Sequence, residues 1–123
     1  MNKEVLYKDL DGLLNTLDFI QEEQAVIKRK LSGLLDNTVS NQFVDWAEEL
    51  HLQILNREAA LQLLRKDIIA LRKTITIKKS VIYFVENQYV KLITKYKEQI
   101  TYLENEFKNW SKATSEKFDA ILA

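Results

Sequence analysis

Residues 6–34 read LYKDLDGLLNTLDFIQEEQAVIKRKLSGL, and apolar side chains recur in this stretch at alternating steps of four and three. This heptad spacing places them on one narrow face of a helix, which we call a seam, and is typical of helices that pack against other helices. Only Gln24 is polar among the nine seam positions, which are Leu6, Leu10, Leu13, Leu17, Ile20, Gln24, Ile27, Leu31 and Leu34. The pattern predicts a long amphipathic helix.

Two further seams follow with the same spacing. The second contains one charged position, Arg57, and the third is rich in aromatic residues. The second seam comprises Phe43, Ala47, Leu50, Ile54, Arg57, Leu61, Leu64, Ile68, Leu71 and Ile75. The third seam comprises Tyr89, Ile93, Tyr96, Ile100, Leu103, Phe107, Trp110, Thr114, Phe118 and Ile121. Three seams predict three long helices.

The composition favours helices without interruption. The chain of 123 residues has no proline and two glycines, and these are the residues that break or weaken helices. Residues 36–41, DNTVSN, are rich in side chains that bond to nearby backbone, which indicates a turn and a helix cap. We expect one helical domain over residues 1–123, with helices at about 4–35, 41–77 and 80–122.

The junction between the second and third helices has three interpretations. The third seam uses Ile93, Ile100 and Phe107, one residue later than the phase of the second seam predicts. A turn at 78–80 explains the slip, and so does a stutter within one continuous helix. The strand-forming residues of 74–77 and 81–85 also permit a β-hairpin. We predict an all-α fold, an elongated antiparallel three-helix bundle resembling a coiled coil. The alternative is a helical hairpin with helices two and three continuous, completed by oligomerisation.

No reactive constellation is evident, so we expect a protein that is not an enzyme and has no cofactor. The chain has no cysteine and a single histidine. Glu48 and His51 have the E-x-x-H spacing of di-iron helical bundles, but such a site needs two copies of the motif. The heptad places both residues outside the seam, which indicates a solvated pair. We predict no metal site, no catalytic residue and no small-molecule substrate.

Two polar residues interrupt the seams and are candidates for setting the register of the bundle. Antiparallel pairing brings Gln24 and Arg57 to the same level of the bundle. Polar seam residues reduce stability but can specify register or partner. Arg57 can bond to Gln24, or reach the surface on its aliphatic stem.

Basic residues gather toward one end of the predicted bundle. They are Arg65, Lys66, Arg72, Lys73, Lys78 and Lys79. A cluster of this kind can bind acidic lipid, nucleic acid or an acidic protein. Lys+Arg and Asp+Glu number 18 each, and the zero net charge argues against nucleic acid. Binding of an anionic surface is therefore our second hypothesis for the function.

Antiparallel pairing also places Trp110 level with Ala47, so that Trp46 and Trp110 cluster with Phe43 and Phe107 at the end of the first turn. The third helix then extends past its partners, with an apolar end that nothing in the monomer covers. We therefore predict self-association, as a dimer, through Val81, Ile82, Phe84, Val85, Phe118, Ile121 and Leu122.

These observations favour a non-enzymatic helical module for protein interaction, such as a coiled-coil adaptor, a chaperone or an assembly subunit. Its expected partners are a second copy of the chain or another helical protein. No apolar signal segment or membrane-length apolar stretch is present in the sequence. We therefore expect a cytoplasmic location.

Overall fold

The computed structural model of the protein describes residues 3–36, 41–77 and 83–122. These residues form α1 (Lys3–Leu35), α2 (Asn41–Ile77) and α3 (Tyr83–Leu122). The all-α prediction is confirmed, while the predicted start of the third helix at Ser80 lies outside the described residues. The part of the chain that the structure describes contains no strand, and 74–77 form the last turn of α2. The β-hairpin is therefore wrong.

The three seams line the core. In α1 and α2 every seam residue is buried except Leu34 and Arg57, which are partly exposed. In α3, six of the ten seam residues are buried, and those that remain partly exposed are Tyr96, Leu103, Trp110 and Ile121. The heptad pattern thus predicts the buried positions of all three helices.

Side chains joined across α1 and α2 show that these helices are antiparallel. The Tyr7 hydroxyl donates a hydrogen bond of 3.0 Å to the Thr76 hydroxyl. Farther along α1, Lys28 Nζ lies 3.2 Å from Glu58 Oε1. Residue numbers rise along α1 while those of their partners fall along α2.

Helices α2 and α3 are antiparallel too, and this excludes the continuous helix. Trp110 Nε1 donates to Gln53 Oε1 at 2.9 Å, and Arg57 Nη2 lies 2.5 Å from Glu106 Oε1. One straight helix would hold residues 53 and 110 about 85 Å apart at 1.5 Å per residue. The chain therefore reverses between α2 and α3, and the hairpin alternative is wrong.

The register of α3 corrects the expected position of Phe118. Trp110 lies level with Gln53 rather than Ala47, a displacement of six residues or about 9 Å along the helix. Phe118 consequently packs on Trp46, with ring centroids 5.3 Å apart and planes nearly perpendicular. Phe118 is only 1% exposed. The expectation that nothing in the monomer covers Phe118 is wrong.

The same displacement separates the aromatic residues into two groups. Trp46 contacts Phe43 as well as Phe118, with the Trp46 and Phe43 ring centroids 5.7 Å apart. Trp110 contacts Phe107, with centroids 6.0 Å apart. A single cluster containing both tryptophans was therefore the wrong prediction, although both groups pack against the core.

Replacing Phe118 with alanine should lower the free energy of unfolding by about 3 to 5 kcal/mol, because the ring is buried and its removal leaves a cavity. Urea unfolding monitored by circular dichroism measures the change. Tyr102→Ala is the control, since Tyr102 is 67% exposed, and it should change the free energy by about 0.5 kcal/mol or less. A loss below about 1 kcal/mol for Phe118→Ala would contradict the packing of α3 on Trp46.

Candidate functional site: the outer face of α2

Helix α1 packs against both other helices, whereas α2 and α3 contact each other more sparsely. Their shared side is bridged by long polar side chains, including the pair Arg57–Glu106. A groove of about 500 Å³ remains between α2 and α3. Leu63 and Tyr102 lie at this groove, and both are about two-thirds exposed. The bundle is therefore open on the α2–α3 side.

Helix α2 also has a second apolar stripe, on the side opposite its seam. We call this stripe the outer face of α2, and its residues are Leu52, Leu55, Ala59, Leu63, Lys66, Ile69, Ala70, Lys73 and Ile77. Most of them recur at steps of three or four, so they share one side of the helix. Leu52, Leu63 and Ile77 are 61%, 66% and 78% exposed. The described residues leave these large apolar side chains uncovered.

Small residues give the outer face a shallow hollow of about 750 Å³. Ala59 and Ala70 lie in it beside the larger side chains of Leu63 and Ile69. An alternation of small and large apolar residues is a surface into which a second helix can interlock. The hollow is formed by α2 alone, because all of its lining residues belong to that helix.

Charge divides the outer face along its length. Glu48 and Glu49 are exposed near its beginning. Lys66 and Lys73 are exposed in its second half and line the hollow. No ion pair joins either lysine to another residue within 3–36, 41–77 and 83–122. The face therefore has one acidic end and one basic end.

The predicted basic patch is not one continuous surface. Arg65 forms an ion pair with Asp18 of α1. Arg72 Nε donates to Asp11 Oδ1 at 2.9 Å, and its guanidinium lies 4.6 Å from the centre of the Tyr7 ring. The hydrogen bond to Asp11 raises the pKa of Arg72 above its ordinary value. Both arginines are thus engaged with α1.

The other four members of the patch have different positions. Lys66 and Lys73 belong to the outer face of α2. Lys78 and Lys79 lie outside the described residues. The structure therefore divides the cations between an intramolecular interface and an apolar face.

The polar seam residues Gln24 and Arg57 do not bond to each other. Arg57 turns outward, where its guanidinium contacts Glu106 and lies 4.3 Å from the centre of the Trp110 ring. Gln24 is 1% exposed, and its Nε2 has no hydrogen-bond partner among the described residues. Both residues line a pocket of about 220 Å³ between the three helices, which is partly open to solvent. A role in setting the register remains a prediction.

Replacing Gln24 with leucine should raise the free energy of unfolding by about 1 to 2 kcal/mol, because it removes an unpaired buried donor from a seam position. Chemical denaturation measures the change. Gln99→Leu is the matched control, since Gln99 is exposed on α3, and we expect a change within about 0.5 kcal/mol. If Gln24→Leu destabilises the protein, the amide has a partner in solution.

The predicted C-terminal surface for self-association changes with the position of Phe118, which is buried within the monomer. Ile121 is partly buried against the core. Val81 and Ile82 lie outside the described residues, and so do the side chains of Phe84, Val85 and Leu122. Among the described residues, exposed large apolar side chains are most numerous on α2.

The outer face was missed from the sequence, although a signal was present. Leu63, Ala70 and Ile77 are seven residues apart, and Leu52 and Ala59 continue the same side of the helix. This second heptad line contains alanines and lysines as well as larger apolar residues, so its pattern is weaker than that of the seam. A search for two apolar lines in each helix would have identified it.

Glu48 and His51 line a shallow groove between α1 and α2, where both side chains are exposed. Within the described residues, no group of three or more His, Asp or Glu side chains is arranged to hold a metal ion. Nor does any described helix segment have the length and apolarity needed to cross a membrane.

Comparison with known proteins identified no relative. The chain matches no family model, and neither the curated proteins nor the solved structures gave a significant match.

Tyr96 of α3 is partly buried against the core. Burial raises its pKa above the ordinary value of 10.0, and the negative charge of Asp67 on α2 raises it further. Both effects favour the neutral phenol. The folded state therefore holds the Tyr96 proton more tightly than the unfolded chain does.

This pKa shift predicts a contribution to stability that is fully present below pH 10.0 and is lost as the pH rises through the higher folded-state value. Tyr96→Phe should remove that contribution, so the variant should lose less stability in alkaline solution than the natural protein. Unfolding free energies of both proteins, measured across this pH range, test whether the stability falls less in the variant. The phenolate absorbance of Tyr96 should rise at a higher pH than that of a tyrosine in an unfolded chain. An equal alkaline loss in both proteins would contradict the assignment.

Proposed function

We propose that the protein is a non-enzymatic helical interaction module, serving as an adaptor, chaperone or assembly subunit, and that it binds protein through the outer face of α2. The observation that supports this proposal is that α2 is apolar on two opposite sides. One side is buried in the core, and Leu52, Leu63 and Ile77 are exposed on the other.

The shape of the surface suits a helical partner. Amphipathic helices bind apolar faces through side chains spaced three or four residues apart, and the outer face has this spacing over residues 52–77. Small side chains at Ala59 and Ala70 allow close approach, and charges at its two ends can orient the partner. Contiguous exposed apolar surface of this kind marks sites of interaction.

Binding of an anionic surface remains the alternative, and the ion pairs of two arginines in the basic patch weigh against it. Arg65 and Arg72 form ion pairs with Asp18 and Asp11. An acidic lipid or a phosphate would have to compete with these aspartates, or bind through lysines on an apolar face. Such binding would fall steeply with salt concentration.

Site-specific photo-crosslinking tests the proposed function. A photoreactive amino acid at Leu63 should form adducts with protein, either a second copy of the chain or another protein in a lysate of the source organism. The same amino acid at Lys95, exposed on α3, is the control and should form few adducts. Absence of protein adducts at Leu63, both in concentrated purified protein and in lysate, would refute the proposal.

A further inference from the structure

We infer that the occupant of the outer face of α2 is a second copy of the same face, bound antiparallel about a twofold axis that passes near residue 61. This inference rests on the proposed function and specifies its partner. It replaces the C-terminal segment as the surface for self-association.

Charge along α2 favours this orientation. Glu48 and Glu49 lie near the beginning of the face, whereas Lys66 and Lys73 lie in its second half. In an antiparallel pair, each acidic end meets the basic end of the other copy. In a parallel pair, lysine would face lysine and glutamate would face glutamate, which is unfavourable. The formal net charge of zero also leaves no overall repulsion between copies.

Side-chain size indicates the register. With the axis near residue 61, residues whose numbers add up to about 122 face each other. Leu63 then enters the hollow beside Ala59 of the other copy, and Leu52 lies against Ala70. On one edge of the contact, Glu48 of one copy lies within reach of Lys73 of the other copy. The twofold axis repeats each of these contacts, as in other isologous dimers.

This register also keeps Ile77 within the contact. Shifting the two helices by one heptad toward the beginning of α2 still matches Glu48 with Lys66, but it leaves Ile77, which is 78% exposed, without a partner. With the axis near residue 61, the contact extends over residues 45–77, about 50 Å of helix. A strip about 10 Å wide buries about 500 Å² on each copy, or roughly 1,000 Å² in total, which is at the low end for specific interfaces. We therefore expect a reversible dimer in the micromolar range.

Sedimentation equilibrium of the full chain from 1 to about 200 µM tests the inference, and the natural protein should pass from monomer to dimer over this range. Leu63→Glu should weaken the dimer by on the order of a hundredfold or more, because the twofold axis places two carboxylates in an apolar contact next to the axis. Val26→Glu is the matched control: Val26 is 50% exposed on α1, and its variant should associate like the natural protein. Circular dichroism verifies that both variants are folded.

Engineered cysteines test the orientation, because the chain has none of its own. Gln62→Cys lies beside the axis, so the two thiols should form a disulfide-linked dimer under mild oxidation. Leu52→Cys should not, because the two copies of residue 52 would be about 27 Å apart at 1.5 Å per residue. Efficient crosslinking of Leu52→Cys, with or without that of Gln62→Cys, would indicate a parallel pair and overturn the inference.

Two further results would overturn the inference. One is a natural protein that stays monomeric at the highest concentration. The other is a dimer that Leu63→Glu and Val26→Glu affect equally. If a monomeric protein still forms adducts at position 63 in lysate, the self-pairing fails while the proposed function stands. If no adducts form either, both fail.

Discussion

The structure depends on the way in which α1 covers two other helices with one narrow seam. The seam of α1 is buried against α2 and α3 together, from Leu6 to Leu31. Because both partners must reach this one stripe, they meet each other only along its edge. There Arg57 of α2 bridges the gap, with its guanidinium against Glu106 and the Trp110 ring of α3. Helix α2 is therefore buried on its seam side, while the opposite side stays uncovered.

The local features of the fold could be predicted from the sequence, but the axial position of α3 could not. Heptad spacing determines which side of each helix is buried, and the cap-rich segment near Asp36 predicts the first turn. The change of seam phase marks the second junction but permits a turn, a stutter or a hairpin there. A seam is periodic, however, so sliding one helix along another still places apolar residues against apolar residues. The axial position of α3 along α2 is instead marked by two individual contacts, Trp110 with Gln53 and Arg57 with Glu106. No periodic pattern identifies such pairs.

The candidate site was hidden for a related reason. A heptad search assigns one apolar side to each helix, and in α2 the seam from Phe43 to Ile75 is the stronger of two. The weaker line contains leucine and isoleucine diluted by alanine and lysine, a composition that resembles an ordinary exposed surface. Leu52 and Leu63 are each about two-thirds exposed, which distinguishes this weaker line from a helix face that is partly covered. Three-dimensional packing was needed to establish which side α1 and α3 leave open.

The arginines and the lysines of α2 lie on different surfaces of the helix. Their positions bear on whether the partner is a protein or an anionic surface. Arg65 and Arg72 are seven residues apart and pair with Asp18 and Asp11, which are also seven apart. A planar guanidinium suits such fixed carboxylate partners. Lys66 and Lys73 repeat the spacing on the outer face, where they line an apolar hollow. Lysine has a flexible aliphatic stem that can cover apolar surface while its ammonium group stays in water. The two lysines therefore have the character of a polar rim around an apolar contact, which favours a protein partner over a phosphate-bearing one.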